Sequence, residues 1–176
     1  RLLVILVETQ DAKWPRGFSR SRYQEMIFSK RSLSLREYFR ENSYGLFDIT
    51  GEVVGPLRVS GSIKDHAFKM GDANAPVVSL IEKAVRAAGN KINYADFDHY
   101  NSRGMPGADG IIDHVMLVYP VRSNKAQAFT PIWPHRGSSD VDVGRTRVTG
   151  YTILNHGAPL GVFVHEFAHD LGLPDL

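Results

Sequence analysis

Six apolar residues in a row, Leu2–Val7 within RLLVILVETQ, constrain the fold more than any other stretch of this 176-residue chain. The run is far short of the roughly 20 residues a membrane helix needs, and too short to be a signal-peptide core with its flanks. Its side chains are mostly branched, so it predicts a buried strand. HVMLVYPV, His114–Val121, and RVTGYTIL, Arg147–Leu154, predict two more. GLFDITGEVVGPLRVSG, Gly45–Gly61, alternates apolar residues and reads as one or two strands with a turn at Gly51. Helices are predicted between them. FSRSRYQEMIF spans Phe18–Phe28, and SLSLREYFREN spans Ser32–Asn42 with Ser32, Ser34 and Glu37 as capping candidates. APVVSLIEKAVRAAG, Ala75–Gly89, carries an apolar stripe of Val78, Leu80, Ile81, Ala84, Val85 and Ala88, with Gly89 at its end. Strands interleaved with helices indicate a mixed α/β or α+β domain built on one sheet.

Composition narrows the function classes. Apolar residues make up 43% of the chain, enough for one core, and the formal net charge is +2. That balance leaves no electrostatic footprint for nucleic acid, and PRGFSRSR, Pro15–Arg22, reads as a solvated loop or helix start. No run approaches a membrane span. The absence of cysteine excludes disulfides, thiolate metal sites and cysteine nucleophiles. Serine chemistry has no support, because no Gly-x-Ser-x-Gly elbow occurs. The chain opens on Arg1 rather than methionine, which is the expected look of a piece cut from a longer precursor.

The last helix holds the candidate chemistry. VFVHEFAHDLGLPDL, Val162–Leu176, belongs to a helix predicted to start near Pro159 and end at Gly172. At about 100° per residue, Leu160, Phe163, Val164, Phe167, Ala168 and Leu171 form the core stripe, and His165 and His169 fall roughly opposite it. One turn separates the two imidazoles, close enough to bind a single zinc ion. Glu166 stands beside the site as general base on the water that zinc activates. A catalytic zinc needs a third protein ligand and an open position. Gly172 can turn the chain back and Pro174 stops the helix, so Asp175, six residues past His169, is expected to supply that ligand.

With these residues the sequence resembles the immune inhibitor A family of secreted bacterial metalloendopeptidases. GVFVHEFAHDLGLPDL carries most of the likeness. It extends through IWPHR (Ile132–Arg136), DGIIDHVMLVY (Asp109–Tyr119), SLREYFRENSYGLFDITGEV (Ser34–Val53) and the opening strand. The resemblance implies a zincin-like α/β (α+β) fold: a mixed twisted sheet with packed helices and a C-terminal active-site helix. It further implies zinc-dependent hydrolysis of protein or peptide substrates, secretion, and often control by a propeptide. His165 and His169 would be ligands and Glu166 the base. Ala168 stands where the family usually carries glycine, a change a helix accommodates. The family continues past LPDL into a further subdomain, so residues 1–176 are expected to be the N-terminal part of the catalytic domain.

Two other stretches invite a role. DFDHYNSRGMPGADGIID, Asp96–Asp113, offers oxygens from Asp98, Asn101, Asp109 and Asp113 of the kind a structural calcium prefers. SRGMPGA breaks their spacing and Arg103 opposes a cation, which favours a plain acidic turn before a strand. In WPHRG, His135 is either a cleft residue that touches substrate or, as is commoner for a lone histidine, a packing or capping residue. His66, His99, His114 and His156 show no ligand spacing and receive no role. The rival to an enzyme is a noncatalytic binding or adhesion domain on a protease-like scaffold, which would have no chemical need of Glu166.

Overall fold

The computed structural model describes residues 1–31, 33–67, 75–89, 91–121 and 132–175. Its centre is a five-stranded sheet in the order β2-β1-β3-β5-β4. The strands are β1 (Leu2–Glu8), β2 (Gly51–Arg58), β3 (His114–Tyr119), β4 (His135–Val143) and β5 (Thr146–Asn155). β1 runs parallel to β2 and β3, β3 runs parallel to β5, and β4 returns antiparallel along β5 as an edge. The fold is α+β, as expected.

Helices cover both faces. On one side α3 (Ala75–Ala88) packs on Leu3, Ile5 and Val7. On the other, α1 (Arg20–Phe28), α2 (Leu35–Asn42) and α4 (Leu160–Asp170) bury Leu2, Val4 and Leu6. This explains the unbroken opening run: a parallel strand covered on both faces gains from apolar residues at every position rather than every second one. β3 repeats the pattern, with Val115 and Leu117 on the α3 side and Met116 and Val118 on the α4 side.

Several boundaries differ from the sequence reading. α1 begins at Arg20 rather than Phe18, and α2 at Leu35. Ser34 is the residue that caps α2, accepting the Glu37 N–H at 3.1 Å, while Ser32 lies outside the described residues. In α3 the buried position is Val77, with Val78 only partly covered. Gly51 is not a turn. It is the first residue of β2, paired with Leu2, where a β-carbon would collide with the Leu2 carbonyl and the Phe28 ring. The glycine there marks a close approach of two backbones rather than a change of direction.

One element was missed. β4 forms a hairpin with β5 that turns at Gly144 (φ 66°) and Arg145. Val141 and Val143 alternate with Asp140 and Asp142 and point into the core. That period of two next to a glycine turn was the available signal.

Candidate metal centre

α4 is laid onto the sheet by its apolar stripe. Phe163 and Phe167 are fully buried, and Phe167 packs edge-on to Phe39 at 5.4 Å and to His114 at 5.2 Å between centroids. The opposite face carries the histidines, with 56% of the His165 side chain and 23% of the His169 side chain exposed. Glu166, between these faces, is buried.

The helix ends in a Schellman turn. Gly172 takes φ 86°, its N–H bonds the His169 carbonyl at 2.9 Å, and the Leu173 N–H bonds the Ala168 carbonyl at 3.0 Å. The turn sends the chain back past His169. The Leu173 carbonyl then accepts the His169 Nδ1–H at 2.8 Å, which leaves Nε2 as the nitrogen with a free lone pair. Two residues later, Asp175 Oδ1 comes to 3.2 Å from His169 Nε2 and 3.3 Å from His165 Nε2. The two Nε2 atoms are 3.1 Å apart.

These three atoms form a nearly equilateral triangle. Tetrahedral ligands about 2.0–2.1 Å from a central ion are separated from one another by about 3.3 Å, so the triangle has the dimensions of one face of a zinc tetrahedron. The donor set, two imidazole nitrogens and a carboxylate oxygen, suits zinc. Among the described residues, His165, Glu166 and His169 are the group of histidines and acids whose ligand atoms gather within 4.8 Å of one another.

The electrostatics separate Glu166 from its neighbours. Burial raises its carboxyl pKa above the ordinary value, against the pull of His165, His169, His135 and the Arg136 backbone amide. The His169 pKa is also raised, first by the Leu173 carbonyl and then by the Asp175 and Glu166 carboxylates.

The other candidates fall out differently. His135 sits at the start of β4 with both ring nitrogens engaged: Nδ1 faces the Trp133 carbonyl at 2.7 Å and Nε2 the Tyr151 hydroxyl at 3.2 Å. In the acidic loop, Asp98 accepts the amides of Asp109 and Gly110, Asp113 those of His99 and Tyr100, and Asp109 those of Ser102 and Ile111. The Asn101 carbonyl oxygen accepts from Arg103 and Met105. These oxygens brace the turn they sit in.

Sequence reasoning passed over Asp170, His114 and Arg136. The Asp170 carboxylate accepts from His114 Nδ1 at 2.7 Å and pairs with Arg136 Nε at 3.5 Å. A cavity of about 640 Å³ lies against this side of α4, lined by Phe167, Asp170 and Leu171 but by none of the three triangle residues. The signal was an aspartate in the last turn of a helix, where a negative charge opposes the dipole.

The profile of the immune inhibitor A peptidase M6 catalytic domain matches residues 4–176. The chain belongs to the M6 immune inhibitor A peptidase family. Curated relatives of this M6 domain are distant. It is 25% identical over 225 aligned positions to "Immune inhibitor A" of Bacillus thuringiensis subsp. alesti, which covers 99% of this chain and 33% of the relative. It is 28% identical over 230 positions to "Pre-pro-metalloprotease PrtV" of Vibrio cholerae serotype O1 (strain M66-2), covering 99% of this chain and 24% of the relative. The M6 domain therefore spans a quarter to a third of the length of these relatives.

Proposed function

We propose that this M6 domain is the catalytic part of a zinc-dependent endopeptidase in which His165, His169 and Asp175 hold the metal and Glu166 is the general base. The single observation that carries the reading is the triangle of His165 Nε2, His169 Nε2 and Asp175 Oδ1, 3.1–3.3 Å on a side. The likeness to a protein named a metalloprotease supports it. Three donors leave a tetrahedral ion one open position, which marks a catalytic rather than a structural site. When bound, zinc would supply a Lewis acid that lowers the pKa of water to about 7 and polarises the scissile carbonyl.

The chain's own residues do the rest. Glu166 takes a proton from the attacking water as its oxygen bonds to the carbonyl carbon. It returns that proton to the amine nitrogen as the C–N bond breaks. Burial suits the task, because a poorly solvated carboxylate beside the water is a ready proton acceptor. The Leu173 carbonyl fixes the His169 tautomer that presents Nε2. The substrates are proteins or peptides. Action outside the cell follows the likeness to a relative whose name, pre-pro-metalloprotease, is that of a processed precursor. No described helix is long and apolar enough to cross a membrane.

The test is metal analysis and proteolysis on the intact protein purified without chelator. We expect about one zinc per chain and cleavage of a generic peptide. Glu166→Gln is expected to keep the zinc and to lower kcat by roughly 10²–10⁴. Full zinc content with no cleavage by the wild type would instead support the binding-domain reading. An empty site would remove both the metal and the mechanism.

A further inference from the structure

Asp170 has no local reason to be where it is. It is the last residue of α4, where a carboxylate opposes the helix dipole, and its side chain is only 7% exposed. Burying a charge is costly unless partners offset it. Its partners come from two strands. His114 opens β3 and meets Oδ2 at 2.7 Å. Arg136, on β4, meets Oδ1 at 3.5 Å. Between them β5 contributes Gly150, whose missing side chain gives the guanidinium its path: a β-carbon there would lie 3.1 Å from Arg136 Nη2 and 3.8 Å from Asp170 Oδ1.

Asp170 adjoins His169 in sequence, and the turn that delivers Asp175 begins just beyond it. One carboxylate therefore joins the end of the metal-bearing helix to two strands, β3 and β4, one residue beyond His169.

We propose that Asp170 is a positioning residue: by clamping the last turn of α4 to His114 and Arg136 it sets the separation of His165, His169 and Asp175. The inference rests on the metal-site reading above. Asp170 is no ligand and touches no substrate. It acts through the helix it anchors. Arg136 works from the far end of the same clamp, and its exposed side chain makes it the milder site to alter.

The test uses cobalt, whose visible bands report coordination geometry, on the intact protein. Affinity is measured by competition with a chelating dye, for the wild type, Asp170→Asn, Arg136→Met and the double variant. Asp170→Asn keeps the volume but turns an amide donor toward one of two donors, so half the clamp fails. We expect its cobalt affinity to fall about tenfold, with altered bands. Arg136→Met should shift both in the same direction, and the double variant should be little worse than Asp170→Asn alone. Asp170→Asn that binds cobalt with wild-type affinity and spectrum overturns the proposal, even if it melts earlier. Strictly additive losses in the double variant also overturn it, because the two residues would then act separately. If Asp170→Asn does not fold, Arg136→Met decides by the same two readouts. Wild-type protein that takes up no cobalt removes the metal-site reading and this one with it.

Discussion

Replacing Gly137 by alanine isolates one contact that holds the edge strand in place. Gly137 lies in β4 opposite Tyr151, and its φ is outside the left-handed region, so its backbone would accept any residue. The obstacle is steric. A β-carbon at Gly137 would overlap Cζ and the hydroxyl oxygen of Tyr151 and lie 2.9 Å from Cε1, against an ordinary carbon–carbon contact of about 3.5–4.0 Å. The ring cannot retreat freely, because Tyr151 is 0% exposed and its hydroxyl is held by His135 Nε2 at 3.2 Å. Overpacking of this kind costs about 1–3 kcal/mol, and separating a buried hydroxyl from its partner about 1–3 kcal/mol more if both occur in full. The smaller entropy of the unfolded alanine chain returns about 0.4–1 kcal/mol. A net loss of about 2–3 kcal/mol is expected, or roughly 5–10 °C in Tm for a domain of this size. Urea denaturation monitored by tryptophan fluorescence measures it. The matched control is Gly161→Ala in the first turn of α4, where a β-carbon meets nothing within 4 Å. That change should stabilise by roughly 0.5–1 kcal/mol. Gly137→Ala as stable as the wild type would show that Tyr151 is not wedged beneath β4 and would refute the packing account of the edge strand.

Ser34→Ala should destabilise by about 1–2 kcal/mol in thermal melts, because the buried Ser34 hydroxyl both caps α2 at Glu37 and donates to the Ser29 carbonyl at 2.7 Å. Burial lowers the pKa of His66, which sits beside Lys83 and has Nδ1 against the Pro76 carbonyl, so the folded protein keeps this ring neutral where the unfolded chain takes up a proton. Stability from this site is therefore full above about pH 6.5 and declines as pH falls below it; His66→Leu should flatten that part of the stability–pH curve. Stripping divalent ions and restoring zinc at 100 times Kd should raise stability by about 2.7 kcal/mol, seen as a higher Tm. Restoring calcium to stripped protein should leave Tm unchanged, because Asp98, Asp109 and Asp113 already brace the loop through its backbone amides.

The readable parts of the fold were those where the same physics acts on neighbouring residues. LLVILV announces a strand because burial on both faces demands an apolar residue at every position. The stripe of α4 announces which side is core because 3.6-residue periodicity is local. Gly51 misled for the opposite reason: its need arises from Leu2, 49 positions earlier, and from Phe28, and no rule of local turn chemistry carries that information. β4 was harder still. Its inward residues are only Gly137, Val141 and Val143, diluted by serines and aspartates, so an edge strand with a polar outer face resembles a loop.

The candidate site divides along the same line. His165, Glu166 and His169 share one turn of helix, and Asp175 follows a glycine turn whose geometry depends on residues within six positions, so their convergence was open to inference from spacing. The partners of Asp170 come from positions 114 and 136, on strands whose adjacency exists only after the sheet has formed. What a sequence does show at such a place is an unexplained cost: an acid at the negative end of a helix dipole, in a stretch otherwise suited to burial. Local rules count that residue as an error. Since the fold retains it in a buried setting, the compensation has to come from elsewhere, and two donors from separate strands are found supplying it. Residues that violate local preference beside a candidate active site are therefore the ones whose long-range partners merit the first search.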